Sequence, residues 1–263
     1  MKSEKNQKHI SDSPFSAVLA ALEQCKVEYI VLGGQAVIAY GASQFTRDAD
    51  FWINPTRANI KRFEKVLREL KASQRFLPPL KLSYLRKGHG IHFRFNYYEK
   101  DFYVDIMGKP PRVTGFSPAQ KDAIHVKWHG LDVPVLDLPR LINTKKTDRE
   151  KDYLIIQSLT DAVFEQAQKS QTMRKSVIRW LVKELRDPRH LQAIAETWKN
   201  GKEELLKSGR KASVLSVKNA SVPAIQEELD FEKEKLKKEN REYWKPFIDE
   251  LRDLRRKQRG KDR

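Results

Sequence analysis

The amino-acid sequence predicts an α+β fold, in which a mixed β-sheet is flanked by helices and followed by an α-helical C-terminal region. Short runs of β-branched and aromatic residues, each bounded by turn residues, predict the sheet, as does the strict alternation of apolar and polar residues from Ile91 to Asn96. Strand patterns become scarce after residue 160, where apolar residues recur at helical spacing instead. We therefore expect two domains, residues 1–160 and residues 161–263.

The first half of the predicted sheet domain alternates helices with buried strands. A helix is expected to begin at Ser13-Pro14, and the run YIVLGG from Tyr29 is typical of a buried strand that ends at a pair of glycines. A second strand ends at Ile53. The next helix is predicted from Arg57 to Lys71, with Thr56 as its N-cap.

The second half of this domain is predicted to contain two hairpins and a helix. The alternating strand that starts at Ile91 is expected to pair with the run FYVDIM, residues 102–107, because a polar break separates the two. The run HVKWHGLDVPVL predicts another hairpin, which turns at His129-Gly130. A helix is expected from Leu138 to Leu159.

In the C-terminal region, apolar residues between Ile225 and Leu254 form one stripe through a highly charged segment. Pro246 is expected to divide this segment into two helices, because proline inside a helix removes a hydrogen bond. Residues 207–221, which are rich in Lys, Ser and Gly, are predicted to form a loop.

Composition narrows the classes of partner and location. The chain has 52 Lys and Arg residues against 35 Asp and Glu residues, a net charge of +17, which favours nucleic acid, nucleoside triphosphates or anionic lipid surfaces over neutral partners. No apolar run approaches the roughly 18 residues of a membrane helix, and the polar N-terminus is not typical of a secretory signal. The single cysteine, Cys25, excludes an internal disulfide. We expect a cytoplasmic protein that does not enter a membrane.

The stretch LGGQAVIAYGASQFTRDADFWI carries the clearest chemical pattern. Residues i and i+2 of a strand project from the same face, so Asp48 and Asp50 are expected to present two carboxylates side by side. A divalent cation is the usual means of keeping two such carboxylates ionised, and Mg²⁺ prefers carboxylates together with triphosphate oxygens. Gly33 and Gly34 would let the backbone approach phosphate closely.

Asp105 is the best candidate for a third carboxylate. It lies among apolar residues of a predicted strand, where Asp is depleted, and two-metal sites generally use a carboxylate from a neighbouring strand. The alternative for Asp48 and Asp50 is that they only form the turn before a strand. The histidines near the predicted strands, His92, His125 and His129, are expected to be structural.

Gly33-Gly34, thirteen intervening residues and then Asp48-Ala49-Asp50-Phe51 resemble the signature of the nucleotidyltransferase superfamily, which includes DNA polymerase β-like enzymes. The stretch is similar to the bacterial branch of minimal nucleotidyltransferases and AbiEii-type toxins, and the resemblance covers residues 26–160. One position departs from the pattern. Members often carry Arg four residues before the first Asp, where this chain has Gln44, and Arg47 lies next to Asp48 instead.

The resemblance implies a nucleotidyltransferase fold and a site with a set of assigned residues. Mg²⁺, or Mn²⁺, would be bound by the carboxylates, the glycines would contact the triphosphate of an NTP, and a threonine would orient the Asp-x-Asp turn. A lysine, 145 or 146, would neutralise phosphate charge, and Arg149 would pair with Asp152 structurally. The residues so implied are Asp48, Asp50 and Asp105 for metal and catalysis, and Gly33, Gly34, Thr46 and Lys145 for the nucleotide.

The expected reaction is transfer of a nucleoside monophosphate from an NTP to an acceptor hydroxyl. RNA, such as a tRNA end, is the favoured acceptor because the chain is strongly basic. An antitoxin protein is a further expected partner. A small molecule of the aminoglycoside type or a protein hydroxyl is the second enzymatic option. A catalytically silent nucleotidyltransferase fold used for binding is the rival from another class.

Overall fold

The computed structural model describes residues 13–42, 46, 48–170 and 173–260. Within these residues, helices flank a mixed seven-stranded sheet, as the α+β prediction required, and helices dominate the C-terminal part. The strands are β1 (Tyr29–Leu32), β2 (Asp48–Ile53), β3 (Ser73–Gln74), β4 (Gly90–Tyr97), β5 (Lys100–Met107), β6 (Ile124–Trp128) and β7 (Leu131–Val135). The helices are α1 (Pro14–Gln24), α2 (Gly33–Ala39), α3 (Arg57–Glu69), α4 (Leu82–Lys87), α5 (Phe116–Asp122), α6 (Leu138–Lys145), α7 (Glu150–Ser170), α8 (Lys175–Glu184), α9 (Pro188–Thr197), α10 (Gly201–Lys207), α11 (Lys211–Val217) and α12 (Val222–Arg259).

The strand order β3-β4-β5-β2-β1-β7-β6 places β2 inside the sheet. It pairs antiparallel with β1 and parallel with β5, so residues far apart in the sequence become neighbours across two strands. The two predicted hairpins are confirmed as β4–β5 and β6–β7, both antiparallel.

Strand β2 is buried along one face and at its far end. Ala49 and Phe51, which alternate with the aspartates, are both fully buried. Trp52 is buried too, because its ring contacts Phe116 of α5 in a T-shaped arrangement with centroids 5.7 Å apart. The first half of the strand leaves Asp48 exposed and Asp50 half-buried, so the polar face of the sheet opens at this point.

Two predicted helix starts have a side-chain cap, which was predicted for Thr56. The hydroxyl of Ser13 accepts a hydrogen bond from the backbone N–H of Ser16, at 3.1 Å, and begins α1. The hydroxyl of Thr56 accepts from the N–H of Asn59, at 3.2 Å, and begins α3. A side-chain oxygen at this position satisfies an amide that would otherwise lack a partner in the first turn.

The chain divides into two compact units. One consists of residues 1–144 with 246–263 and contains the sheet, and the other consists of residues 145–245. The second unit has an apolar core of its own, formed by α7 to α12, and it includes Phe164, Leu181, Leu191 and Ile225. This division differs from the expected boundary at residue 160, which lies inside α7.

The helix predicted from Leu138 to Leu159 is interrupted, and the structure has α6 and α7 in its place. The cause lies in Thr147. Its hydroxyl accepts from the N–H of Arg149, at 3.1 Å, and donates to Asp152, at 2.5 Å. A short hydroxyl side chain that bonds nearby backbone competes with helical hydrogen bonds, so the chain breaks and restarts here.

The predicted loop over residues 207–221 is also corrected, because residues 211–217 form α11. The small residues of this segment lie on the buried side of the helix. Ala212, Ser213 and Ser216 are buried, and the Ser216 hydroxyl donates to the carbonyl of Ala212 at 2.8 Å. A serine whose hydroxyl is satisfied within the helix can pack closely like alanine.

Pro246 does not divide the C-terminal segment, since α12 is continuous from Val222 to Arg259. The carbonyl that loses its helical donor belongs to Glu242, four residues earlier, and both residues are exposed. Water can therefore replace the missing bond. The stripe is fully buried only at its first positions, Ile225 and Leu229, among the described residues. No helix in the described ranges has the length and apolar character that a membrane span requires.

Candidate functional site

Two of the predicted carboxylates are direct neighbours on the sheet. Asp50 of β2 lies opposite Asp105 of β5, and Asp48 lies opposite Tyr103. Paired residues of adjacent strands project from the same face, so all three aspartates share the polar face of the sheet. The opposite face of the same strands carries Ala49, Val104 and Ile106, which are buried.

The turn after β1 packs directly against Asp50. Gly33 has a φ of +67°, and a Cβ at this position would lie 1.8 Å from Oδ2 of Asp50. No side chain fits there, so Gly33 is required by the carboxylate itself. The register agrees, because Leu32 at the end of β1 is the antiparallel partner of Asp50.

Gly34 and Thr46 form a second close pair next to the first. A Cβ on Gly34 would lie 2.9 Å from the Thr46 hydroxyl oxygen. That hydroxyl accepts a hydrogen bond from the N–H of Asp48, at 3.3 Å, and donates to its carbonyl, at 3.2 Å. Thr46 thus holds the backbone where Asp48 begins the strand. Gln44 and Arg47, which carry the departure from the family pattern, lie outside the described residues.

His92 belongs to this site, although the sequence suggested a structural role. Its Nδ1 lies 2.9 Å from Oδ1 of Asp105, with the imidazole N–H donating to the carboxylate. This hydrogen bond raises the pKa of His92 above its usual value; burial opposes the rise and the charge of Asp50 adds to it.

The hairpin register is the signal that could have revealed His92. The β4–β5 turn is formed by Tyr98 and Glu99, both at positive φ, and this turn places His92 opposite Asp105. The sequence located the break one residue later, at Glu99-Lys100-Asp101. A one-residue error in a turn changes every cross-strand partner, so the pair could not be identified from the pattern alone.

The donor set suits a hard divalent cation, since three carboxylates supply the oxygen ligands that Mg²⁺ and Mn²⁺ prefer. The described part of the chain, however, contains one group of three His, Cys, Asp or Glu residues whose ligand atoms all lie within 4.8 Å of one another. That group does not lie on the sheet. The carboxylate oxygens of the three sheet aspartates therefore do not all lie within that distance of one another. Asp105 is turned towards His92.

The closer trio, Asp161, Asp187 and His190, could hold a metal ion. It lies in the second unit, where Asp161 is on α7, Asp187 caps α9 and His190 is in the first turn of α9. Nδ1 of His190 is 2.9 Å from Asp161, and burial raises the pKa of Asp161. Asp187 also accepts a hydrogen bond from the N–H of Arg189, at 2.7 Å, so capping already accounts for its position.

Lys145 and Lys146 both contact carboxylates of the second unit. The Lys145 ammonium is buried 3.5 Å from Asp152, whose side chain is fully buried, and Lys146 lies 2.8 Å from Glu184. Arg149 pairs with Asp152 at 2.8 Å, as predicted. These contacts explain the lysines as structural groups, and a phosphate contact for Lys145 stays a prediction.

Comparison with protein-family models and with curated proteins found no match to this chain.

Proposed function

We propose that the protein is a metal-dependent nucleotidyltransferase of the nucleotidyltransferase fold, which transfers a nucleoside monophosphate from an NTP to a hydroxyl of RNA. One observation carries the proposal. Asp50 and Asp105 meet as register partners, Asp48 shares their face, and Gly33 leaves no room for a side chain against Asp50. An ordinary turn former would not need such a close approach of backbone to carboxylate.

The residues have distinct roles in this proposal. Asp48, Asp50 and Asp105 would hold Mg²⁺ or Mn²⁺, which when bound offsets the charge of the triphosphate and of the leaving pyrophosphate. Gly33 and Gly34 lie beside Asp50 and Thr46, so the triphosphate can approach the backbone there without meeting a side chain.

The proposed transfer forms one phosphorus–oxygen bond and breaks another. The acceptor oxygen bonds to the α-phosphorus, the bond from that phosphorus to the bridging β-phosphate oxygen breaks, and pyrophosphate leaves with both bond electrons. The hydroxyl proton passes to Asp105, whose hydrogen bond with His92 keeps its carboxylate in place. His92 is therefore a positioning residue.

RNA is the preferred acceptor because of charge. The chain carries 52 basic side chains and a net charge of +17, which favours a polyanion over a neutral small molecule. The cytoplasmic location and the antitoxin partner remain predictions of the sequence.

The test incubates the purified protein with Mg²⁺, each α-labelled NTP in turn and total RNA. Label in RNA supports the proposal, and label in a small molecule or in the protein moves it to another acceptor. Asp50→Asn and Asp105→Asn should each abolish transfer, because a neutral amide binds a divalent cation poorly. Asp101→Asn is the matched control, since Asp101 lies on the same strand four residues earlier and pairs with Arg94 at 3.4 Å.

Transfer that survives Asp50→Asn would contradict the assignment of the site. Absence of transfer with every NTP, while the protein still binds RNA, would favour a silent binding fold. Retention of the native circular dichroism spectrum by both aspartate variants excludes unfolding as the cause of a loss.

A further inference from the structure

Three flat side chains lie next to the carboxylates on the polar face of the sheet. Tyr103 is opposite Asp48 on one side and Arg94 on the other, and it precedes Asp105 by two residues on β5. Arg75 follows β3, and its N–H donates to the carbonyl of His92 at 2.9 Å. Arg75 and the next residue, Phe76, are thus placed over β4 and β5.

These side chains stack on one another. The guanidinium carbon of Arg75 lies 4.2 Å from the centre of the Tyr103 ring and 4.6 Å from the centre of the Phe76 ring. The Phe76 ring contacts His92 edge to face, with centroids 5.9 Å apart. Phe76 is nevertheless 50% exposed. A phenyl ring held at a polar site but half in water has surface available for a ligand.

The segment that carries Phe76 is tied in place by one side chain. The amide nitrogen of Gln74 donates to the carbonyls of Phe76, at 2.7 Å, and Pro78, at 2.6 Å. The amide oxygen of Gln74 accepts from the N–H of Leu80 at 3.2 Å. The backbone that carries the ring is therefore held in place before any ligand arrives, which lowers the entropic cost of binding.

Arg75, Phe76 and Tyr103 form a stacking surface, here called the shelf, and its chemistry fits a nucleobase. Bases stack on aromatic rings and on guanidinium planes. Arg75, and Arg94 opposite Tyr103, offer positive charge to the phosphates of the same nucleic-acid strand. The strand order also gives the two proposed substrates, the NTP and the RNA acceptor, different places on the sheet. The glycine turn follows β1 on one side of β2, whereas the shelf lies over β3, β4 and β5 on the other side, next to Asp105.

We propose that Arg75, Phe76 and Tyr103 bind an unpaired base at the end of a single-stranded RNA acceptor. This inference rests on the proposed function and specifies its acceptor, because Asp105 is the residue assigned to the acceptor hydroxyl. An unpaired end is required since a base inside a duplex has both faces already stacked.

The test measures binding without catalysis. Fluorescence anisotropy with a labelled single-stranded oligoadenylate of about ten nucleotides, in the absence of NTP, reports the affinity of the full chain. Phe76→Ala should weaken binding about tenfold, since one stacked base is lost. Phe76→Trp should retain the native affinity, and Phe76→Leu should behave like Phe76→Ala, because leucine is apolar but does not stack.

Two controls isolate the stacking contribution. Tyr98→Ala removes another exposed aromatic ring, at the β4–β5 turn, and should leave the affinity unchanged. An abasic oligomer of equal length should bind the native protein and Phe76→Ala equally, because its phosphates remain and its bases do not.

Native affinity in Phe76→Ala, or full recovery in Phe76→Leu, would overturn the proposal. A loss of ATP affinity with unchanged oligonucleotide affinity would assign the shelf to the NTP and overturn the acceptor assignment. Asp50→Asn separates this test from the proposed function, since that variant should lose transfer but keep oligonucleotide binding. Oligonucleotide binding that needs Phe76 in a protein without transferase activity would refute only the reaction.

Discussion

Gly33 and Gly41 are both at positive φ, +67° and +82°, but they differ in what surrounds them. A Cβ at Gly33 would overlap the Asp50 carboxylate, whereas a Cβ at Gly41 would meet none of the described residues within 4 Å. The pair therefore separates two effects that a single glycine substitution would combine, namely backbone strain and steric overlap.

We predict that Gly33→Ala lowers the free energy of unfolding by about 2 kcal/mol or more and abolishes nucleotide transfer, because Asp50 must move away from the added methyl group. Gly41→Ala should lower it by about 1 kcal/mol, the strain contribution alone, and keep its activity. Urea unfolding and the transfer assay measure the two effects. Equal destabilisation with equal activity would show that Asp50 has room to move.

The site residues were predictable to different degrees. Asp48, Asp50 and Gly33 are close in the sequence, so spacing alone grouped them. Asp105 could be predicted from the sequence because a carboxylate in an apolar strand is unusual. His92 and Phe76 were not, since their place beside Asp105 depends on the register of β4 and on a segment outside any regular element.

At the scale of elements, one buried side chain joins α3 to the sheet. Asn59 is fully buried in the first turn of α3 and contacts the backbone before β1 and after β2. Its amide oxygen accepts from the N–H of Glu28, at 2.8 Å, and its nitrogen donates to the carbonyls of Glu28 and Asn54, at 2.9 and 3.0 Å. The helical pattern of α3 could not show these partners, because they lie outside this helix.

We predict that Asn59→Ala lowers the free energy of unfolding by about 3 kcal/mol, because three backbone groups lose their partner where water has little access. Asn96→Ala is the control. Asn96 is exposed and accepts one hydrogen bond, from the N–H of Glu99 at 3.0 Å, so its loss should cost less than about 1 kcal/mol. Chemical denaturation checks both variants, and similar costs would mean that water replaces the Asn59 contacts.

A second tie between elements depends on pH. Glu150 at the start of α7 lies 2.7 Å from the Lys233 ammonium and also contacts Lys237, both on α12. These two hydrogen bonds lower the pKa of Glu150 from 4.5 to about 2. A carboxyl whose pKa is lowered by folding stabilises the folded state above its unfolded pKa, and this contribution is lost as the pH falls through the folded value.

We predict that native protein exceeds Glu150→Gln in unfolding free energy by up to about 1 kcal/mol, a small value because the Glu150 side chain is 60% exposed. The difference should be complete above pH 4.5 and disappear as the pH approaches 2. Denaturation at a series of pH values checks this, and the difference should shrink in about 1 M salt. A difference that does not change over this pH range would contradict the assignment.

The elements themselves were largely predictable, and their ends were less so. Capping residues at Ser13 and Thr56 and the alternation of β4 are local signals, and the structure confirms the elements they predicted. The predictions of a continuous helix past Thr147 and of a break at Pro246 were wrong, because each depends on whether a freed backbone group finds another partner.

For the whole molecule, the net charge of +17 leads to a prediction about salt. Each phosphate that a basic side chain neutralises releases counterions, so the logarithm of the single-strand affinity should fall linearly with the logarithm of salt concentration, by about 0.7 per contact. Anisotropy titrations at rising KCl measure the slope. Phe76→Ala should lower the affinity at every salt concentration without changing the slope, because stacking releases no counterions. An affinity independent of salt would contradict polyanion binding.

The position of β2 in the sheet has a consequence for the order of folding. Its partner β5 comes much later in the chain, and β1 cannot be flanked on its other side until β7 exists. Such non-local pairing requires long loops to close first, which slows folding relative to a helical protein. During synthesis, a nascent chain that has not yet produced β5 holds Asp48 and Asp50 but has nothing to place beside them. We therefore expect the proposed metal-binding capacity to emerge late and abruptly, so that ribosome-bound fragments ending before Asp105 neither bind Mg²⁺ tightly nor carry out the proposed transfer.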